Sequence, residues 1–325
     1  MSTAPLVSIC IPSYNHAQYL PATLNSALAQ TYPNIEIIVL DDGSKDDSLA
    51  IARDYEARFP ARVKLYTHAG GANRGISRTV NAAFAHSAGK YWMGLPSDDI
   101  LYPDKIEKQV AFLEKNPELG FVYCRVDYID SEGKKVPGSF GKDITADADP
   151  LKSMILENLI PGMAILARRE AIARVGDHDA DLIYSDWDFW VRLFSMYKGG
   201  FIPESLIGYR VHDYNTSVGT PRAVQVGHIR DFYLKLLQHV DTGLINESYR
   251  EIIEEQVKNL PARHASWLMI DCYDALGERR RRTAYQLLKD AFRISPRFVL
   301  NGRRVGLVLK KTFFSLMPRS KMKQS

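Results

Sequence analysis

Several scarcities narrow the field first. Only three cysteines, Cys10, Cys124 and Cys272, occur in 325 residues. They lie far apart and without metal-type spacing, which excludes a disulfide framework and predicts buried thiols in a reducing compartment. No apolar run approaches the ~18–20 residues that a bilayer-spanning helix needs. Met1-Ser2-Thr3-Ala4-Pro5 carries no basic region ahead of an apolar stretch, so no secretory signal is expected. After the first apolar run, where a dinucleotide-dependent oxidoreductase would place a glycine fingerprint, stands Pro12-Ser13-Tyr14-Asn15.

What is present is ordinary in bulk and uneven in detail. With 46% hydrophobic and 25% charged residues, the chain has the make-up of a soluble globular protein. Its length suits one large domain with a smaller appendage. The net charge of +4 hides an asymmetry: residues 279–325 hold 14 basic residues against one acidic residue, Asp290, leaving 28 basic and 37 acidic residues before them.

The first hundred residues alternate strand-like and helix-like segments. Val7–Ile11, a short apolar run rich in β-branched residues, reads as a buried strand, and Ile35–Leu40, Val63–Tyr66 and Tyr91–Leu95 read as the second, third and fourth strands. Pro12 ends the first. Tyr19–Gln30, a segment running to about Phe59, and Ser77–His86 carry helical spacing between them. Strand–helix–strand at this repeat length predicts a parallel sheet with covering helices. In such sheets ligands gather beyond the carboxyl ends of the strands. Farther on, Phe121–Ile129 and Met163–Arg168 read as strands, Asp130–Gly133 as a hairpin turn, and 138–150 as a polar loop. Asp186–Met196 is a helix and Gly208–His212 a short strand. Beyond Val218 only helices are expected: Val224–Val240, Glu247–Lys258, Ala262–Leu276 and Arg282–Ile294.

The carboxylates carry the chemistry. Asp98-Asp99 lies between apolar segments just past a strand, where adjacent aspartates either cap a turn or hold a divalent cation such as Mg²⁺ or Mn²⁺. Asp41-Asp42-Gly43-Ser44, past another strand, is a turn by composition; Asp42 there can also accept hydrogen bonds from a base or ribose. Tyr14 offers an aromatic face for a base to stack on. Asp186 sits near a helix start, a capping position that also favours its charge. Arg210 and His212, two apart on a strand, face one side and suit a diphosphate or its metal complex, unless both are structural.

Taken in order, Val7–Asn15, Gln30–Ser44, Asn73-Arg74-Gly75-Ile76-Ser77, Pro96-Ser97-Asp98-Asp99, Ser185–Leu193 and Gly208–His212 resemble glycosyltransferase family 2, the inverting enzymes with a GT-A fold. The resemblance runs from about residue 6 to 216. It implies a nucleotide-diphospho-sugar donor, most often a UDP-sugar, and a glycan or lipid-linked glycan acceptor. It implies a nucleotide-sugar site built from Pro12, Tyr14, Asn15, Asp42, Arg74, Asp98 and Arg210. It further implies Mg²⁺ or Mn²⁺ at Asp99 and His212, and Asp186 as general base. The chain departs from the family pattern at Pro96, where a further aspartate is common, at Ser185, where a glutamate is common, and at Val80, where an arginine often precedes the asparagine. Arg74 or Arg78 is the candidate replacement for that cation.

The expected architecture is thus a GT-A domain over 1–217, mostly parallel sheet flanked by helices, and a helical extension over 218–325 with a basic tail. Basic and bulky apolar residues alternate in that tail. They fit either an interfacial segment on an anionic membrane surface or a packed helix with a solvated basic face. No nucleic-acid partner is expected, because no base-reading motif accompanies the charge. The expected location is cytoplasmic, either free or peripheral at the inner face of the cell membrane.

Overall fold

The computed structural model describes residues 4–212, 222–277 and 280–299. The chain forms two compact units, Met1–Asn215 with Thr242–Asn246, and Thr216–Asp241 with Glu247–Ser325.

The first unit is built on β1 (Val7–Ser13), whose seven residues are all buried. Its aliphatic side chains serve both faces of a sheet covered on both sides, hence the unbroken apolar run. Parallel to β1 lie β2 (Ile35–Asp41) on one edge and β4 (Tyr91–Gly94) on the other, with β3 (Val63–Thr67) outside β2. The helices α1 (Leu20–Leu28), α2 (Ser48–Arg58) and α3 (Ile76–His86) connect these strands. Beyond β4 the sheet becomes mixed. There β8 (Leu166–Arg168) runs antiparallel to β4 and to β6 (Leu119–Ile129), and β9 (Lys198–Arg210) runs parallel to β6. Two short strands complete it, β5 (Ile100–Leu101) on β9 and β7 (Lys135–Phe140) on β6. The remaining helices of this unit are α4 (Lys105–Lys115), α5 (Pro150–Leu156), α6 (Arg169–Val175) and α7 (Ser185–Met196).

The sequence placed the end of the first strand at Pro12, but β1 continues to Ser13. Cys10 presents its carbonyl to Leu95 on the β4 side (2.8 Å), whereas Val7 and Ser13 bond toward the β2 side. By alternation Pro12 faces the β4 side. There the ladder has already ended, with Cys10 opposite Gly94. The missing N–H therefore removes no strand bond, which is why proline is tolerated in a central strand.

Three further differences have local causes. The hairpin turn expected at Asp130–Gly133 (φ 84° at Gly133) is there, and its second arm, Lys135–Phe140, pairs with β6 and takes in residues 138–140 of the expected loop. The strand expected at Gly208–His212 belongs to the long β9, which ends at Arg210. The two helices expected on either side of Pro261 are one.

Among the described residues of the second unit, the helices are α8 (Arg222–Asp241), α9 (Arg250–Gly277), α10 (Arg281–Ile294) and α11 (Pro296–Val299). Ala265, Leu268, Met269, Cys272, Ala275 and Leu276 of α9 bury against Ala284 and Ala291 of α10 and Val299 of α11. The opposite side of α10 exposes Arg282, Lys289 and Arg293 together with Tyr285 and Phe292. The basic tail over 300–325 lies outside the described residues. All three cysteines are free and buried.

Candidate active site

The loops beyond the carboxyl ends of β1 and β2 are laced together. Asn15 adopts a left-handed backbone (φ 52°), a conformation asparagine tolerates better than most residues. It accepts from Lys45 N–H through Oδ1 (2.7 Å) and donates its own N–H to Ser44 Oγ (3.0 Å). His16 N–H donates to Ser48 Oγ (2.9 Å), and Ala17 N–H to Asp46 Oδ2 (2.9 Å). Asn15 is thus a loop tie. Tyr14 stands at the rim with 43% of its surface exposed, above the buried Pro12.

Asp41 and Asp42 divide their duties. Asp41 Oδ1 accepts from the N–H groups of Gly43 (3.1 Å) and Ser44 (3.0 Å), an Asx turn. Asp42, 4% exposed, accepts from Arg74 N–H (2.6 Å) and Gly75 N–H (3.0 Å), one bond to each oxygen. It gathers the loop after β3 onto the end of β2. His68 lies between Asp42 Oδ1 (3.4 Å) and Thr79 Oγ1 (3.0 Å) of α3. The Arg74 side chain remains exposed.

The Asp98-Asp99 pair splits differently from expectation. Asp99 is fully enclosed; its Oδ1 accepts from Arg210 N–H (2.8 Å), and its Oδ2 has no hydrogen-bond partner among the described residues. Burial, and then the neighbouring charge of Asp98, push its carboxyl well above the usual carboxylate range. It is Asp98 that meets His212, with Oδ2 3.0 Å from Nε2. His16 joins them, so that one ligand atom from each of His16, Asp98 and His212 lies within 4.8 Å of the other two. His16 also pairs through Nδ1 with Ser97 Oγ (2.8 Å), and burial holds its imidazole toward the neutral form. Neutral imidazole is the form that ligates a metal. The sequence reading missed His16, because a single histidine in a loop has no periodic or motif signal.

Arg210 does not present its guanidinium to a diphosphate as expected. The side chain is buried, donating from Nε to Asp98 O (2.7 Å) and from Nη1 to Asp130 O and Ser131 O (2.9 Å each), with its guanidinium 4.9 Å from the Tyr19 ring centre. Strand alternation failed as a guide here because β9 ends at Arg210, so His212 is placed by the following turn.

Asp186 occupies the first turn of α7. The helix dipole there favours its charge, but burial outweighs it and raises the carboxyl above its ordinary value. Oδ1 accepts from Trp187 N–H (2.8 Å), and Asn158 Nδ2 stands 3.5 Å from Oδ2. Its neighbour Ser185 shares a 2.7 Å hydroxyl contact with Ser77, two residues beyond the Gly75 that Asp42 grips. Asp186 and the Asp42 cluster are thereby linked through the first turn of α3. Asp188 points elsewhere, into a buried pair with Arg192 Nε (2.8 Å).

The family model described as Glycosyl transferase family 2 matches residues 8–176. An uncharacterized glycosyltransferase of Rickettsia prowazekii is 36% identical over 222 residues, 66% of this chain and 66% of that one. An uncharacterized glycosyltransferase of Haemophilus influenzae is 26% identical over 313 residues, covering 93% of this chain and 100% of its own. Among solved structures, the mannosyltransferase PcManGT of Pyrobaculum calidifontis, in complex with GDP-Man and Mn²⁺, superposes with a TM-score of 0.63 at 17% identity, covering 97% of this chain and 82% of its own. S. aureus TarS 1–349, in complex with UDP-GlcNAc, gives 0.61 at 15% identity, covering 95% and 90%. This chain belongs to glycosyl transferase family 2 and has the GT-A fold of those transferases.

Proposed function

We propose that this protein transfers a sugar, of the hexosyl class, from a nucleotide-diphospho-sugar to a hydroxyl of a glycan or lipid-linked glycan, with inversion. The observation that carries this reading is Asp186: a carboxylate raised toward neutrality by burial, joined through Ser185, Ser77 and Gly75 to the Asp42 loop. A base with a raised pKa accepts a proton more readily when an alcohol approaches. Asp186 removes the hydroxyl proton as the acceptor oxygen attacks the anomeric carbon. The bond to the leaving diphosphate oxygen breaks on the opposite face, and its electron pair departs with the nucleotide. One displacement inverts the centre.

On the donor side, Tyr14 offers its exposed ring to the base, Asp42 and Asn15 fix the loops that frame it, and the Arg74 side chain is available to the diphosphate. A UDP-sugar is the first donor to try; GDP-mannose is the second, since the two structural relatives hold one of each kind. His16, Asp98 and His212 fit a divalent cation: one carboxylate and two imidazoles converge, and imidazole nitrogen favours a transition ion such as Mn²⁺ over Mg²⁺. Bound there, the ion would supply positive charge to the leaving diphosphate. This assignment moves the cation contact from Asp99 to Asp98 and keeps His212. Surface-polysaccharide or lipopolysaccharide synthesis at the inner membrane face is the setting proposed.

The test is transfer from a nucleotide-sugar panel with Mn²⁺, product being followed by mass. Asp186→Asn is expected to lower turnover about 10²–10⁴-fold while nucleotide still raises the melting temperature. EDTA is expected to abolish transfer, and Mn²⁺ to restore it. Unchanged turnover in Asp186→Asn would overturn the base, and full activity in EDTA the metal.

A further inference from the structure

Helix α3 starts at the donor loop and touches the segment that leads into α7 at three places. In its first turn, Ser77 Oγ lies 2.7 Å from Ser185 Oγ, both side chains being buried. One turn later, Asn81 makes a two-bond clamp on the backbone of His178: its Nδ2 donates to His178 O and its Oδ1 accepts from His178 N–H, each at 2.9 Å. The His178 ring, thus fixed, stacks on Phe189 of α7 with centroids 4.2 Å apart and planes 7° from parallel. The third contact, Arg78 to Asp181 at 3.6 Å, is exposed and contributes little. From the other side, Arg192 of α7 holds the same segment through Val175 O (2.6 Å) and Asp177 O (2.9 Å).

A loop pinned to this extent has a geometry to preserve. Its last residue before the base is Ser185, and the same first turn of α3 is fixed by Asp42 through Gly75 and, by way of His68, through Thr79. We propose that Ser77 and Asn81 are positioning residues, which hold the first turn of α7 and so register the Asp186 carboxylate against the donor bound beside Asp42. Neither touches the reacting atoms. The proposal rests on the reading of Asp186 as base, and it adds a specific cause for where that base stands. It also gives a reason for Ser185: a hydroxyl there meets Ser77.

The experiment compares Ser77→Ala, Ser77→Thr, Asn81→Ala and Asp186→Asn. For Ser77→Ala, kcat is expected to fall about 10²-fold, the scale of an ångström-sized misplacement, with KM for the donor within twofold. The acid limb of its kcat–pH profile is expected to move to lower pH, because a loosened Asp186 gains water and loses the burial that raises it; Tyr184 and Asn158 are the other polar groups facing it. Ser77→Thr keeps the hydroxyl and is expected to recover most of the turnover. Asn81→Ala should behave like Ser77→Ala; if it does not fold, Ser77→Ala, which removes one oxygen, carries the result. If Ser77→Ala keeps wild-type kcat and acid limb while Asp186→Asn is inactive, the positioning role is overturned and the base stands. If Asp186→Asn is active, both are overturned.

Discussion

Lys105 is enclosed completely, its ammonium between Met93 Sδ (3.7 Å) and Gln109 Oε1, and Gln109 Nε2 passes the network to Ala164 O (2.8 Å). Burial lowers its pKa from 10.5 to about 8. Between those two values the unfolded chain holds a proton that the folded chain has released, so folding stability rises with pH across that window, by roughly 3 kcal/mol in all. Buried Cys10, Tyr91 and Tyr123 act in the opposite sense from about pH 9 upward, since folding keeps their protons on. The difference between wild type and Lys105→Met isolates the lysine: urea midpoints are expected to converge or cross as pH falls from 10 to 7, the methionine variant gaining relative to wild type. Parallel midpoints at every pH would contradict this account. None of it was legible in the sequence, where Lys105 follows Asp104 like any lysine near a helix start. Burial of a charge is a property of what packs around it, and the sequence shows that only where apolar periodicity is strong.

The loops beyond β1, β2 and β3 act as one element, and at Gly43 the turn after β2 packs directly on the backbone of the loop after β3. Its φ is +77°, and a Cβ there would stand 2.6 Å from Gly71 O and 2.9 Å from Asn73 N, both backbone atoms that cannot swing away. Gly43→Ala is expected to cost on the order of 1–3 kcal/mol and to loosen the grip of Asp42 on Arg74 and Gly75. Calorimetry should show a lower melting temperature and a smaller upward shift with nucleotide; a variant equal to wild type in both would refute it. At this scale the sequence was a good guide where strands are buried on both faces. β1 and β2 stand where their aliphatic runs placed them, the half-exposed β3 and the aromatic β4 start where expected, and the acidic turns follow the carboxyl ends of β2 and β4. It failed where pattern is diluted: β7 is a polar hairpin arm with no alternation to read, and α9 continues through Pro261 because packing outweighs one lost bond. His16 and the inward turn of Arg210 were invisible for another reason, namely that loop residues owe their direction to partners remote in the chain.

For the molecule as a whole, charge is the unresolved asset. No described helix is long and apolar enough to cross a membrane. On α10, Arg282, Tyr285, Lys289, Phe292 and Arg293 share the face opposite the buried alanines, with Tyr285 71% exposed. Residues 300–325 add seven lysines and arginines and no acidic residue. Each basic side chain near an anionic bilayer is worth about 1 kcal/mol, and the attraction fades with salt. Removing residues 303–325 is therefore expected to lower sedimentation with phosphatidylglycerol vesicles strongly at 50 mM salt, and less at high salt, while leaving neutral vesicles unaffected. Equal sedimentation by both forms would assign the charge to a solvated face instead.

The enclosed thiols offer a practical opening. Cys10, Cys124 and Cys272 are all sealed in, and burial raises each above its ordinary acidity. Maleimide dyes attack thiolate, so the native protein should stay dark under mild labelling. A lone cysteine introduced at Ile183, which is 57% exposed and three positions from Asp186, would then carry a fluorophore without any prior removal of the natural ones. On the proposed reading of Asp186 as base, such a reporter would register acceptor arrival in real time, separately from turnover.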